Sequence, residues 1–247
     1  MRKKVLMING SYRRKNTYNV LVQIGLILKN HGIQTEILDL YNFDIKDCMG
    51  CDDLCIRGGG CQIKDDMPAI MQKILDSDGL VLSSPVYLGG VTSKFKAFAD
   101  RTNAWFHKPE PVGIPVLFVT TTTTTGIKDV IHFFKQFAIG FGARQGGFIA
   151  RTMKNLTLPV EEKELSNFLS LLGKDKKQYK PAINEIAKFE AQKVLAFKSS
   201  DQDKRFWEEK KWNDKYYYYG CKMNFAKKLF SRMMYKILSA PISIPGL

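Results

Sequence analysis

Residues 79–102 read GLVLSSPVYLGGVTSKFKAFADRT. The stretch opens on an apolar run, GLVLSS (79–84), turns through Ser-Pro, an aromatic residue and Gly-Gly, and closes on a helical pattern over 92–105. A short strand with no polar alternate has both faces covered, which is the habit of parallel sheets rather than hairpins.

The same strand-then-helix order extends outward in both directions. Upstream, VLMIN (5–9) precedes a helical pattern from Thr17 to about Asn30, with Val20, Leu21, Ile24, Ile27 and Leu28 on one side. QTEILDL (34–40) follows the Gly32 stop. Asp65 and Asp66 then offer an N-cap to the helix MPAIMQKILDS, which tolerates Pro68 in its first turn. Downstream come a strand PVLFVTT (115–121), a helix over 127–139 and a strand GGFIA (146–150). Five such units predict an open, doubly wound α/β sandwich, a five-stranded parallel sheet with helices on both faces; a barrel would need eight units and more chain.

Composition narrows the setting. The 247 residues are 45% hydrophobic and 12% aromatic, ample for a packed core. MRKKVLMING has a basic start but only four apolar residues before Asn9, short of the roughly 7–15 of a secretory core. No run approaches the roughly 18–20 apolar residues that cross a bilayer. The expectation is a cytoplasmic protein whose thiols stay reduced. The net charge of +14 concentrates late, with ten Lys/Arg against four acids over residues 203–236. Such charge attracts phosphorylated cofactors, acidic lipid and nucleic acid alike. For nucleic acid, no module signature accompanies it, so that class is set aside.

In open parallel sheets ligands bind beyond the carboxyl ends of the strands. The loop NGSYRRKNT (9–17) leads into a helix with small hydroxyl donors and Arg13, Arg14 and Lys15 beside them, a pattern suited to a phosphate. It has neither a P-loop Gly-Lys-Ser/Thr nor G-x-G-x-x-G, and it also fits a plain capped turn. The loop SSPVYLGG presents backbone amides and a flat side chain, the contacts a planar heterocycle needs, and equally fits a structural loop. A six-threonine run, 120–125, sits at the end of the fourth strand.

INGSYRRKNTYNVL and SSPVYLGGVTSKFKAFADR resemble the FMN-binding segments of flavodoxin-like NAD(P)H-dependent FMN reductases, especially the iron–sulfur flavoprotein branch, over residues 1–150. The resemblance implies a flavodoxin-like fold. It places the FMN phosphate at Ser11, Arg13, Asn16 and Thr17, and the isoalloxazine ring at Pro85, Val86, Tyr87, Leu88 and Gly89. Thr120, Thr121, Thr122, Thr123 and Gly126 would border the flavin. Two departures stand out. Relatives often carry a glycine-rich third loop where this one is threonine until Gly126, and proline where this one has Tyr12.

Four cysteines, Cys48, Cys51, Cys55 and Cys61, are crowded into CMGCDDLCIRGGGC (48–61). Closely spaced thiolates suit a [4Fe–4S] cluster or a zinc site, or remain thiols. The resemblance implies the cluster, and Lys64–Met67 matches the Lys-Asp-Asp-Met that follows it in relatives. Their usual motif has two residues between the second and third cysteines; here there are three, Asp52, Asp53 and Leu54. Cys221 lies apart. His31, His107 and His132 have no partner spacing for acid–base work, so no catalytic side chain is assigned.

These readings imply an FMN-dependent oxidoreductase. It would take hydride from NAD(P)H and pass electrons to a small-molecule or protein acceptor or an iron–sulfur cluster. The alternative is a non-catalytic FMN/iron–sulfur electron carrier serving a protein redox partner. Relatives pair around the flavin, implying a dimer or larger homo-oligomer. The organisation expected is a flavodoxin-like domain over 1–198 and a basic, aromatic helical extension over 199–247. Within the extension, residues 222–238 place Phe225, Leu229, Phe230, Met233 and Ile237 at helical spacing among cations, with Pro241 as a stop. Such a helix packs on its own protein or lies on an anionic membrane. Packing is the expectation, and with it indifference to anionic vesicles.

Overall fold

A computed structural model of the chain describes residues 2–51, 60–221 and 223–240. Five strands form one sheet: β1 (Lys4–Asn9), β2 (Gln34–Asp39), β3 (Gly79–Pro85), β4 (Pro115–Thr121) and β5 (Arg144–Arg151). Every pairing is parallel and the order is β2-β1-β3-β4-β5. That is the flavodoxin-like arrangement, in which the chain reverses its winding between β1 and β3 and leaves a crevice at their carboxyl ends.

Alternate residues of each strand feed two cores. Leu6, Ile8, Leu80, Leu82, Val116 and Phe118 face the helices α2 (Met67–Leu75), α3 (Ser93–Arg101) and α5 (Ile127–Gly140). Val5, Met7, Val81, Leu117, Val119 and Ile149 face α1 (Asn16–Asn30) and α6 (Glu162–Gly173). A period of two along the central strands β1, β3 and β4 thus supplies both layers, while the edge strand β2 carries the polar Gln34 and Glu36.

The expected helix over 92–105 is two elements, α3 and the short α4 (Ala104–His107). Thr102 ends the first, its hydroxyl donating to the Ala99 carbonyl at 2.8 Å and competing with the helical ladder. Strand β2 stops at Asp39, whose carboxylate accepts from Tyr41 N–H at 3.2 Å and opens a 3₁₀ turn. β5 begins two residues before the expected GGFIA, because Arg144 N–H bonds Ile114 O at 2.9 Å and its guanidinium reaches Gly113 O at 2.7 Å.

Beyond the sheet, α7 (Ile183–Ser199), α8 (Asp201–Glu209) and α9 (Phe225–Ser239) follow in order. Phe189, Trp207, Trp212, Tyr217, Tyr218 and Tyr219 form a third, aromatic cluster. Trp207 ties the cluster to α4 by donating from Nε1 to His107 O at 2.9 Å. Of the tail, Pro241 lies outside the described residues, as does Lys222.

Candidate functional site

Three loops meet at the carboxyl ends of β1, β3 and β4, and side-chain hydroxyls tie them together. Thr17 in the first turn of α1 shares a buried hydrogen bond of 2.7 Å with Thr121 at the end of β4. Thr92 donates to Gly10 O at 2.7 Å and also caps α3 through Phe95 N–H. Val86 N–H reaches Thr121 O at 3.0 Å, and Gly10 N–H reaches Ser83 O at 2.9 Å. Gly10 admits no side chain, since a Cβ would stand 2.7 Å from Ser83 O.

The first loop is built to receive an anion. Among the described residues helix α1 has no side-chain N-cap, and its first turn holds no acid. Its leading N–H groups and dipole are therefore left without a side-chain acceptor or an acid among the described residues. Arg13 and Lys15 are exposed beside them; Arg13 Nη2 donates to Tyr87 Oη at 3.2 Å and so spans to the second loop. Ser11 is buried, with its hydroxyl on Arg13 O at 3.0 Å, while Asn16 is exposed at the helix start. Asn9 holds the bend by exchanging two hydrogen bonds with the Ser11 backbone, at 3.0 and 3.1 Å.

In the second loop Tyr87 and Gly90 exchange backbone hydrogen bonds of 2.9 Å in each direction. The two residues between them both have positive φ, Leu88 at 49° and Gly89 at 77°. That is a type I′ turn, a conformation that suits Asn-Gly and is strained for leucine. Leu88 projects wholly into solvent and Tyr87 is partly exposed, so the turn carries an apolar and an aromatic side chain outward.

The third loop settles how threonines replace glycines. Among the described residues only Leu88 and Lys211 combine a side chain with positive φ, so no threonine of the 120–125 run is forced into the left-handed region. Thr122 Oγ1 accepts from Thr124 N–H at 3.1 Å and folds the run locally; Thr123 is exposed. Gly126 alone turns left-handed, at φ 91°, as the N-cap of α5. A Cβ there would lie 2.8 Å from Val86 Cγ1 and 3.0 Å from Gly89 Cα, so the second and third loops touch across this glycine. Thr120 Oγ1 is buried without a hydrogen-bond partner among the described residues.

These features fit a phosphorylated planar cofactor: an uncapped helix flanked by cations, an apolar turn, and an unsatisfied hydroxyl beneath the strands' ends. Sequence reasoning missed Asn9, Gly10 and Thr92, which hold the loops; the N-cap position of Thr92 just before a helical pattern was a usable signal.

The cysteine segment is placed differently. Cys48 and Cys61 are exposed, Cys51 is half-buried, and Cys55 lies outside the described residues. Arg101 anchors the segment's end: it pairs with the Asp65 carboxylate, donates from Nη1 to Lys46 O at 3.0 Å, and meets Cys61 Sγ from Nη2 at 3.3 Å. Burial alone would raise the Asp65 pKa, but hydrogen bonds from Arg101 and from the Lys46 and Met67 amides hold it below the usual carboxylate range. Among the described residues no three Cys, His, Asp or Glu side chains stand close enough to hold a metal. The described thiols therefore do not make the donor set of a cluster. A cavity of about 450 Å³ lined by Cys48, Trp105, Phe106, Phe137 and Lys188 sits at the far ends of α3 and α5, away from the three loops.

Residues 3–152 match the family described as NADPH-dependent FMN reductase. An iron–sulfur flavoprotein of Methanocaldococcus jannaschii is 38% identical over 100 residues, 40% of this chain and 51% of that protein. Another, of Archaeoglobus fulgidus, is 38% identical over 99 residues, 40% of this chain and 48% of that protein. The match thus spans about half the length of each relative. Among solved structures, RosB carrying the intermediate 8-demethyl-8-formylriboflavin-5'-phosphate superposes with a TM-score of 0.53 at 13% identity, covering 90% of this chain and 92% of that one. At that identity the likeness is one of fold.

Proposed function

The chain belongs to the NADPH-dependent FMN reductase family, and from that premise we propose that it is an FMN-dependent oxidoreductase taking hydride from NAD(P)H and delivering electrons to a small acceptor. The observation that carries the reading is the convergence of the three loops through the Thr17–Thr121 and Thr92–Gly10 hydrogen bonds.

FMN, when bound, supplies the hydride and electron chemistry; the chain's part is to bind, orient and shield. The α1 N-terminus with Ser11, Arg13, Asn16 and Thr17 would hold the phosphate, neutralising charge that a neutral loop could not. Pro85 to Gly89 would lie along the ring system, with Leu88 and Tyr87 excluding water from one side. Thr120 would gain the partner its buried hydroxyl lacks, and Thr121 to Thr123 with Gly126 would border the remaining edge. No titratable side chain sits within these loops apart from Arg13, Arg14, Lys15, Tyr12 and Tyr87. Hydride transfer needs orientation more than acid–base assistance, which agrees with assigning no catalytic acid.

Purified protein should show flavin absorption, or acquire it on titration with FMN. Anaerobic mixing with NADH or NADPH should then bleach the flavin band. No flavin uptake overturns the reading. Bleaching by a reduced protein donor alone would make the chain an electron carrier instead.

A further inference from the structure

Helix α9 has two apolar sides, and only one of them is used inside the protein. The packed side meets α7. Ser231 is buried and donates its hydroxyl to the Glu190 carboxylate, and Phe230, Met234 and Leu238 are half-buried around it. Lys227 Nζ reaches Pro181 O at 2.5 Å, and Lys198 Nζ reaches Ser239 O at 3.1 Å. The other side carries Phe225, Leu229, Met233 and Ile237, which are 80%, 56%, 49% and 60% exposed. Their four-residue spacing aligns them in one stripe, and at 100° per residue Leu229 and Met233 lie roughly opposite Ser231.

A row of cations, Lys228, Arg232 and Lys236, runs along that stripe. The helix contains no acidic residue, and none of its four cations forms an ion pair among the described residues. Arg232 is oriented by a neutral acceptor instead, donating from Nη2 and Nε to Tyr216 Oη at 2.8 and 3.1 Å. Lys228 lies over the same tyrosine ring. Beside the row a cavity of about 430 Å³ is lined by the cations Lys193, Lys215, Arg232 and Lys236 and by two carboxylates, Asp214 and Glu190, the latter already held by Lys193 and Ser231.

We propose that α9 docks the protein on an anionic lipid surface, with Phe225, Leu229, Met233 and Ile237 in the headgroup boundary and Lys228, Arg232 and Lys236 on lipid phosphates. Charge complementarity selects this occupant. A second copy meeting the stripe about a two-fold axis would set the cationic row against itself with no carboxylate on the helix to answer it. An anionic bilayer answers both halves of the pattern, burying the apolar stripe while its surface potential attracts the row. No helix of the described residues is long and apolar enough to cross a membrane, so the contact is a surface one. The inference does not depend on the flavin reading.

The test uses the full chain in flotation with phosphatidylcholine vesicles and with vesicles that also contain phosphatidylglycerol. Binding should require phosphatidylglycerol and weaken as salt is raised. The double substitution Leu229→Glu/Met233→Glu touches only exposed positions and should leave the melting temperature unchanged while lowering vesicle binding at least about tenfold. Phe225→Ser/Ile237→Ser, at the helix ends, is the second pair should the first fail to fold. Absence of binding at low salt overturns the proposal. So does binding undiminished by either pair, which would reduce it to diffuse attraction by the +14 chain. Light scattering in which the wild type is dimeric and either pair monomeric would assign the stripe to a second copy and overturn it too.

Discussion

Leu88 holds a strained backbone at the tip of the candidate flavin loop, and replacing it should separate stability from binding. Its φ of 49° lies in the left-handed region, which costs an L-residue with a full side chain about 1–2 kcal/mol. The side chain is fully exposed, so its removal forfeits no packing. Leu88→Asn places the residue that type I′ turns favour at this position, and the apo protein should gain about 1 kcal/mol. For a chain of this size that raises the melting temperature by roughly 2–4 °C. Binding should move the other way. If Leu88 covers one side of the isoalloxazine ring, losing about half a leucine's burial costs about 1 kcal/mol, or roughly fivefold in Kd. Leu88→Ala is the control: it keeps much of the strain but loses the contact, so affinity should fall with little gain in stability. Thermal melts of the apo forms and flavin-fluorescence titrations read both quantities. An apo melting temperature that falls in Leu88→Asn refutes the strain argument, and an unchanged Kd in both variants removes Leu88 from the site.

Four other outcomes follow from the same geometry. Gly126→Ala would drive a methyl into Val86 and Gly89 while holding an unfavourable φ, and should cost about 1–3 kcal/mol in denaturant unfolding and weaken FMN binding. Thr121→Val strands the buried Thr17 hydroxyl and should cost about 1–3 kcal/mol by the same measurement. Arg151 grips Glu164 through two hydrogen bonds, at 2.9 and 2.7 Å, and holds its carboxyl below the usual range. A depressed folded pKa stabilises above the unfolded value near 4.3 and loses that contribution as pH falls through the folded value. Glu164→Gln should therefore cost about 1–3 kcal/mol at neutral pH, a deficit that shrinks in unfolding curves taken toward pH 3. Trp207→Ala empties the centre of the aromatic cluster and frees His107 O, and should cost about 3–5 kcal/mol in thermal unfolding.

The sheet and its three loops were legible because their signals are local. The strands are apolar runs, Gly32 stops the first helix, and Asp65 and Asp66 announce the second. What was hidden is polar residues performing buried work. Arg144 opens β5 yet reads as a loop residue, since nothing in the sequence says its guanidinium will satisfy the carbonyls of Gly113 and Lys174. Helix α7 buries Glu185, Glu190, Gln192 and Lys193 beside Ile186 and Phe189, which erases the 3.6-residue apolar rhythm that would have announced it. Their partners include distant groups: Gln192 Nε2 reaches Gly140 O at 2.7 Å, and Lys193 Nζ reaches Lys215 O at 2.7 Å, while Tyr179 donates to Glu185 at 2.8 Å.

The same effect misdirects a reading of α9. Hydrophobic spacing pointed to Phe225, Leu229, Met233 and Ile237 with Phe230 as one face, and a single apolar face is expected to be the packed one. The helix is instead seated on the side centred at Ser231, because the Glu190 carboxylate on α7, whose pKa burial raises, needs donors there and receives the Ser231 hydroxyl and the Lys193 ammonium. A buried carboxylate lacking those partners would cost more than leaving four apolar side chains half in water. The polar contact thus chose the face, and it is this choice that leaves the larger apolar stripe, with its unanswered cations, turned outward.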